Sequence, residues 1–229
     1  MLRLSELLGS DVRLTSGELA GELVELGVRF GDPRPVVRRV GIGHGRRVTS
    51  FIEWDIVASF ERGEIQVSIA DIDTLDHTGS SVGPADLLLR RDVLDTQVID
   101  VAGKRVARVA DVVLERDGPA VRVVAAELGG AGVWRRLGVR VLADRLAESV
   151  VDWGDVHLTT TRGHALQMQA EAGAVHRLTA TELDALASHL PTSAAASILG
   201  RHPSQLRHRL ASGRHFGRIR RRRHRAAHP

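Results

Sequence analysis

The sequence predicts a mainly β chain: two small β-barrels in tandem, followed by short α-helices. Three observations carry this. Short β-branched runs alternate with Gly- and Pro-containing turns through the first 160 residues. A weak internal repeat relates the two halves of that region. Beyond it the texture changes to Ala-rich helical spacing. With 43% hydrophobic and 26% charged residues in 229, the chain can build a core. It has no Cys, which excludes a disulfide scaffold, a thiolate metal site and a Cys nucleophile.

Ile65-Gln66-Val67-Ser68-Ile69 alternates apolar and polar residues, the period of a half-buried strand. Val12-Arg13-Leu14 and Val139-Arg140-Val141 do so over shorter spans, and Val36-Val37 and Val112-Val113-Leu114 suit strands buried on both faces. Turn signals stand between them at Thr15-Ser16-Gly17, Gly31-Asp32-Pro33, Ala102-Gly103 and Asp117-Gly118-Pro119. In the repeat, an offset of 86 places Gly17 on Gly103, Leu23 on Val109, Leu26 on Val112, Val28 on Leu114 and Val37 on Val123. Phe51-Ile52-Glu53-Trp54 then corresponds to Val150-Val151-Asp152-Trp153, after 13 extra residues in the second copy around Trp134. Residues 71–92 read as a connector rich in Asp, Ser and Gly. Thr179-Ala180-Thr181-Glu182 is a capping box, Leu178 and Leu183 form a hydrophobic staple around it, and Leu183, Leu186, Ala187 and Leu190 follow at helical spacing. Pro191 stops that helix, Thr192 caps a second that ends at Gly200, and Pro203 to Leu210 suggests a third. The segments expected are therefore 1–82, 87–160, a helical stretch 175–212 and a disordered Arg-rich tail 213–229.

Residues 93–100, Gly103, Val109-Ala110-Asp111-Val112-Val113-Leu114 and Val151-Asp152-Trp153-Gly154-Asp155-Val156 resemble the PRC-barrel family. The first copy keeps Gly17 and Trp54 but has Leu23-Val24-Glu25-Leu26 where that signature stands. The helical stretch, from Leu178-Thr179-Ala180-Thr181-Glu182-Leu183 through Pro191 to Ile198-Leu199, resembles the start of the MgtE-type N-terminal domain of magnesium transporters, with Thr in place of the usual His-Pro. On that resemblance the chain reads as a larger protein cut short, and truncation or a frameshift would explain its tail. The PRC-barrel resemblance implies binding or docking, and the MgtE-type resemblance implies a link to magnesium transport or homeostasis.

Candidate sites are sparse. Glu182 and Asp184 correspond to acids that face Mg2+ in the resembled helical domain, although acids in a first helical turn also simply complement the dipole. Asp71, Asp73 and Asp76, with His77, offer hard oxygen ligands or form a solvated acidic linker. Trp134, Arg135 and Arg136 put an aromatic beside two cations, suited to a partner surface or to packing on a barrel rim. Trp54 and Trp153 read as core indoles with their N–H groups on carbonyls. Gly41-Ile42-Gly43-His44-Gly45 reads as a loop or bulge rather than a phosphate cradle. Arg220, Arg221, Arg222, Arg223 and Arg225 would attract any polyanion, nucleic acid or anionic membrane alike.

The net charge of +4 conceals an asymmetry: residues 201–229 hold ten Arg and no acid, leaving 22 basic against 28 acidic residues in 1–200. An acidic body repels phosphate, so nucleic-acid binding would rest on the tail. Acids near the N-terminus and the lack of an apolar run of about 18 to 20 residues point to a cytosolic protein, membrane-associated only through a partner. The reading is a non-enzymatic regulatory or docking protein with a protein partner, a transporter or a second copy, no cofactor unless Mg2+. The alternative is an RNA- or ribosome-associated protein resembling RimM.

Overall fold

The computed structural model describes residues 1–29, 34–71, 82–83, 85–129, 149–169 and 174–200. The first half runs β1 (Leu2–Arg3), the helical turn α1 (Leu4–Leu7), β2 (Asp11–Arg13), β3 (Leu19–Arg29), β4 (Val37–His44), β5 (Arg47–Glu53), β6 (Val57–Phe60) and β7 (Glu64–Val67). The second runs β8 (Asp86–Leu88), a π-helical turn Leu89–Val93, β9 (Gln97–Asp100), β10 (Arg105–Asp117), β11 (Ala120–Gly129), β12 (Ser149–Asp152) and β13 (Val156–Leu158). Three helices follow: α2 (Thr161–Gln169), α3 (Ala180–Ala187) and α4 (Thr192–Ile198). The chain is mainly β with a few short helices, as its apolar alternation predicts.

The strands form two sheets. One has the order β5-β4-β3-β2-β7-β6, the other β12-β11-β10-β9-β13. Neither pairing path closes on itself among the described residues, so the expected small closed barrels are open sheets. Their common succession is close. Leu23 N–H bonds Ser10 O and Gly9 N–H bonds Leu23 O, both at 2.8 Å, while Val109 N–H bonds Thr96 O and Asp95 N–H bonds Val109 O, both at 3.0 Å. Val28 pairs with Val37 as Leu114 pairs with Val123. Gly9 (φ 86°) and Asp95 (φ 62°) hold the same left-handed turn. The sheets differ where β7 inserts, parallel to β2, between β2 and β6.

The remaining two strands explain why the sheets stay open. β1 leaves its own half and pairs with β10, Leu2 opposite Leu114; β8 pairs with β3, Leu87 opposite Val28. Each sheet therefore borrows a strand from the other half. Beneath both lies one core, in which Leu4, Leu26 and Ile42 from the first half join Leu87, Val109 and Leu114 from the second. Further links span the halves: Val36 bridges Arg122, Val123 N–H bonds Pro35 O, and Trp54 Nε1–H donates to Pro119 O at 3.0 Å.

A buried carboxylate locks each exchanged strand. Glu25 accepts the N–H groups of Leu26, Arg90 and Arg91 at 2.9, 2.7 and 3.0 Å. Asp111 accepts the N–H groups of Val112 at 2.8 Å and Ser5 at 3.1 Å, and the Ser5 hydroxyl. Each acid follows the extra residue of a β-bulge, Val24 between Leu23 and Glu25 and Ala110 between Val109 and Asp111, and its side chain reaches the other half. The N–H groups they take are the open donors at the start of the helical turns after β8 and β1. Burial pushes the Glu25 carboxyl up despite its three N–H donors.

Residues 71–92 are thus not all connector: Asp86 begins a buried strand and Leu89 a buried turn. Glycines 41 and 43 lie in strand β4, with a bulge between Ile42 and Gly43, and Gly43 leaves room for the Arg47 carbonyl that a side chain there would strike. α2 was not foreseen, and its Gln167 covers the open edge of β13 by accepting Leu158 N–H at 2.7 Å and donating to Val156 O at 2.8 Å. The capping box forms as predicted. α4 begins at Thr192 with Pro191 at its N-cap, so Thr192 does not supply the cap. α3 and α4 bury Leu186, Ala187 and Ile198 against Ile99 and Val101, on the face of the second sheet away from the shared core.

Replacing Glu25 or Asp111 by Ala leaves buried N–H groups without acceptors, and each substitution should lower unfolding free energy by about 3 kcal/mol in urea denaturation; a change below about 0.5 kcal/mol would show the carboxylates to be incidental. A fragment of residues 85–161 lacks β1 and β3 and uncovers Leu87, Leu89 and Leu114. It should melt without a cooperative transition by circular dichroism, and a sharp two-state melt would refute the shared-core account.

Candidate docking surface

A cleft of about 390 Å³ opens where the exchanged β8 lies against β3. Its floor is apolar: Val24 from β3, Val48 and Phe51 from β5, Leu88 and Leu94 from the second half. Its rim is cationic: Arg46 from the β4–β5 turn, with Arg90 and Arg91 from the π-helical turn. The Arg90 guanidinium is fixed by the carbonyls of Val24 and Gly45, both at 3.0 Å, so its charge is positioned without being neutralised by them. Arg91 pairs with Asp92 at 2.9 Å. Arg46 is exposed. Glu25 also lines the cleft but is 3% exposed and capped by backbone N–H groups, and Asp92, 9% exposed, holds Arg91, so the positive charge of the rim rests on Arg46 and Arg90.

A second feature is a histidine pair between β13 and α2. His157 Nε2 lies 2.9 Å from His164 Nδ1, with ring centroids 5.1 Å apart at 76°. His157 Nδ1 is buried without a hydrogen-bond partner. An unpaired lone pair is more tolerable there than an unpaired N–H. That places the proton of His157 on Nε2, donating to His164. Burial first, then the neighbouring His164 and His176, lower His157 to about 3. Burial lowers His164 as well, against a hydrogen bond with the Ser197 backbone that supports the charged form. Both rings are neutral near neutrality.

The sequence-derived candidates fare unevenly. The Glu182 carboxylate accepts from Thr179 N–H and Oγ1, both at 2.9 Å, and pairs with Lys104 at 2.7 Å. Lys104, then Thr179, hold its carboxyl at about 2. Its oxygens are occupied by the helix cap and an ion pair, and Asp184 is exposed on the same helix. Asp71 is exposed; Asp73 and Asp76 lie outside the described residues, as do Trp134, Arg135, Arg136 and Arg220, Arg221, Arg222, Arg223 and Arg225. No group of three or more His, Asp or Glu side chains able to hold a metal gathers among the described residues. Trp153 is core at 3% exposure. Trp54 is half-buried, stacks edge-on to Phe60 at 5.0 Å and meets its carbonyl in the other half of the chain. The cleft and the histidine pair were both missed. Glu25 and Asp111, two acids inside apolar runs at the repeat offset, were the signal that could have located the first.

Residues 85–161 match the family model of the PRC-barrel domain. The match covers about a third of the 229-residue chain, from the turn before β8 to the first residue of α2. It supports the PRC-barrel resemblance of the second half; it supports neither a second copy in the first half nor an MgtE-type segment in 175–212. No curated protein and no solved structure matches the chain. Among the described residues no helix is long and apolar enough to cross a membrane. The PRC-barrel match includes β8, which pairs outside it, and excludes β1, which completes its sheet.

The depressed histidine values fix a pH response. A histidine whose folded value is lowered lets the unfolded chain bind more protons, so stability is full above about 6.5 and falls as pH drops toward about 3. Between pH 7 and 5 His157 alone should cost about 2 kcal/mol in urea denaturation. His157→Phe should flatten that slope, and equal slopes in both proteins would show the pair to be irrelevant to acid sensitivity.

Proposed function

We propose that this chain is a non-enzymatic docking protein in which a rigid two-sheet body holds a protein partner. The observation that carries the reading is the occupation of its buried acids. Glu25 and Asp111 cap the exchanged turns; Asp86 accepts Gly83 N–H at 2.7 Å and pairs with Arg39 at 3.3 Å; Asp100 accepts Gly103 N–H at 2.8 Å and pairs with Arg105 at 2.9 Å. A general acid or base needs a lone pair free to meet substrate, whereas these are engaged in holding backbone. The PRC-barrel match agrees with docking, the role such domains suggest.

In the same reading the chain is two related PRC-like units, residues 1–82 and 87–160. What supports this is the 86-residue offset, which links the Leu23 and Val109 hydrogen bonds, the Val28–Val37 and Leu114–Val123 pairs, and the Glu25 and Asp111 caps. Magnesium is left out of the proposal, because Glu182 is already engaged by Thr179 and Lys104.

The ten arginines of residues 201–229 favour a second reading, RNA or ribosome association. Affinity capture with the full chain, with and without residues 213–229, separates the two. Docking predicts one stoichiometric protein partner retained at 0.5 M salt by both forms, a concentration of roughly that order being enough to screen exposed charges. Ribosomal particles or RNA held by both forms would replace the docking reading, and RNA lost with the tail would reduce it to generic polyanion attraction.

A further inference from the structure

We propose that the cleft between β3, the β4–β5 turn and the π-helical turn takes a short acidic segment of the partner protein, its carboxylates on Arg46 and Arg90 and its apolar side chains on Val24, Val48 and Leu88. The inference rests on the docking reading and gives that reading a place and a chemistry. Four observations converge on it. Arg46 and Arg90 line the rim without a carboxylate ion-pair partner among the described residues, whereas Arg91 is held by Asp92 at 2.9 Å, and Glu25 in the lining is buried and turned to backbone N–H groups. Arg90 is held in place by two carbonyls before any ligand arrives, so little side-chain freedom is lost when a carboxylate binds. The fork of a guanidinium matches a carboxylate in two parallel hydrogen bonds. The apolar part of the lining, with Val48, Phe51 and Leu94 partly exposed, suits aliphatic side chains beside the acids.

The same features argue against a nucleic acid. Phosphates bring no aliphatic groups for Val24, Val48 and Leu88, and Phe51 is the one aromatic in the lining, which makes no stacking platform. Residues 1–200 carry 22 basic against 28 acidic side chains, so a polyphosphate reaching beyond the cleft meets repulsion, whereas a short segment does not leave it. Among the described residues at the exchanged β1, Arg3 is paired with Glu127 at 2.7 Å and lies near Glu6 at 3.9 Å. The exchanged β8 builds the cationic rim by bringing Arg90 and Arg91 to β3.

The test is fluorescence anisotropy of the full chain with three labelled probes: a short peptide alternating Glu and Leu, its Lys–Leu counterpart, and uridine-only RNA. The Glu–Leu peptide should bind and the Lys–Leu peptide should not. Arg46→Glu changes only an exposed turn residue and should weaken the Glu–Leu peptide about tenfold. Val48→Ser should weaken it severalfold by removing floor, while Arg38→Glu, an exposed site outside the cleft, should leave affinity unchanged. Equal binding of both peptides, no binding of the Glu–Leu peptide at millimolar concentration, or RNA that displaces it from the cleft would each overturn the proposal. Affinity capture with Arg46→Glu separates this failure from that of docking itself: a partner retained in full by that variant refutes the cleft and leaves docking standing.

Discussion

Two carboxylates buried beside bulges hold this molecule together. Glu25 and Asp111 each reach out of their own sheet and accept the open N–H groups at the start of a helical turn that belongs to the other half. A short strand of two or three residues, such as β1 or β8, offers too few ladder hydrogen bonds to fix its own place. The carboxylate caps supply the missing specificity, since a wrong register would leave a buried acid and several N–H groups unmatched. The shared core, the open sheets and the cleft are consequences. Once β8 is pinned on β3, Leu87 and Leu89 enter the common core, and Arg90 and Arg91 arrive beside the β4–β5 turn.

Much of the β architecture was legible in the chain. Alternation at Ile65–Val67 and Val12 marks strands, and Thr179 with Glu182 marks a real helix start; the repeated acid–Trp pairs mark equivalent places, where strands β5 and β12 end and short helical turns at Trp54–Ile56 and Trp153–Asp155 begin. What could not be read was partnership. Nothing local in Leu2–Arg3 or Asp86–Leu88 says that each pairs with the distant sheet, because strand periodicity encodes a face and not a neighbour. At Glu25 the first half departs from the pattern around Asp111. In the fold it is the same device with one more methylene, reaching Arg90 where Asp111 reaches Ser5. The cleft was hidden for the same reason: its rim joins Arg46 to Arg90 and Arg91, which no linear motif connects.

The C-terminal helices belong to the second sheet. Their apolar faces close over Ile99, Val101 and Val106, which otherwise would lie on an open face of β9 and β10. α2 stands between, its Gln167 imitating a neighbouring strand along β13 and its His164 stacked on His157. A resemblance to a helical domain of another protein class is therefore satisfied by a simpler role, that of a lid packed on a β surface. The ionisable residues of this region follow suit, with Glu182 fastened to Lys104 of the sheet turn.

The strand exchange also governs how the chain can come to its native state. The contact between Ser5 and Asp111 spans 106 residues and that between Glu25 and Arg90 spans 65. During synthesis the first half emerges with its longest strand, β3, lacking its β8 neighbour along Gly27–Arg29 and with Glu25 lacking the Arg90 and Arg91 donors, and β1 has no sheet to join until β10 has been made. Neither half can finish alone, so both must condense in one late, long-range event, the slow and aggregation-exposed kind of assembly that makes a nascent chain dependent on protection until its last strands are out.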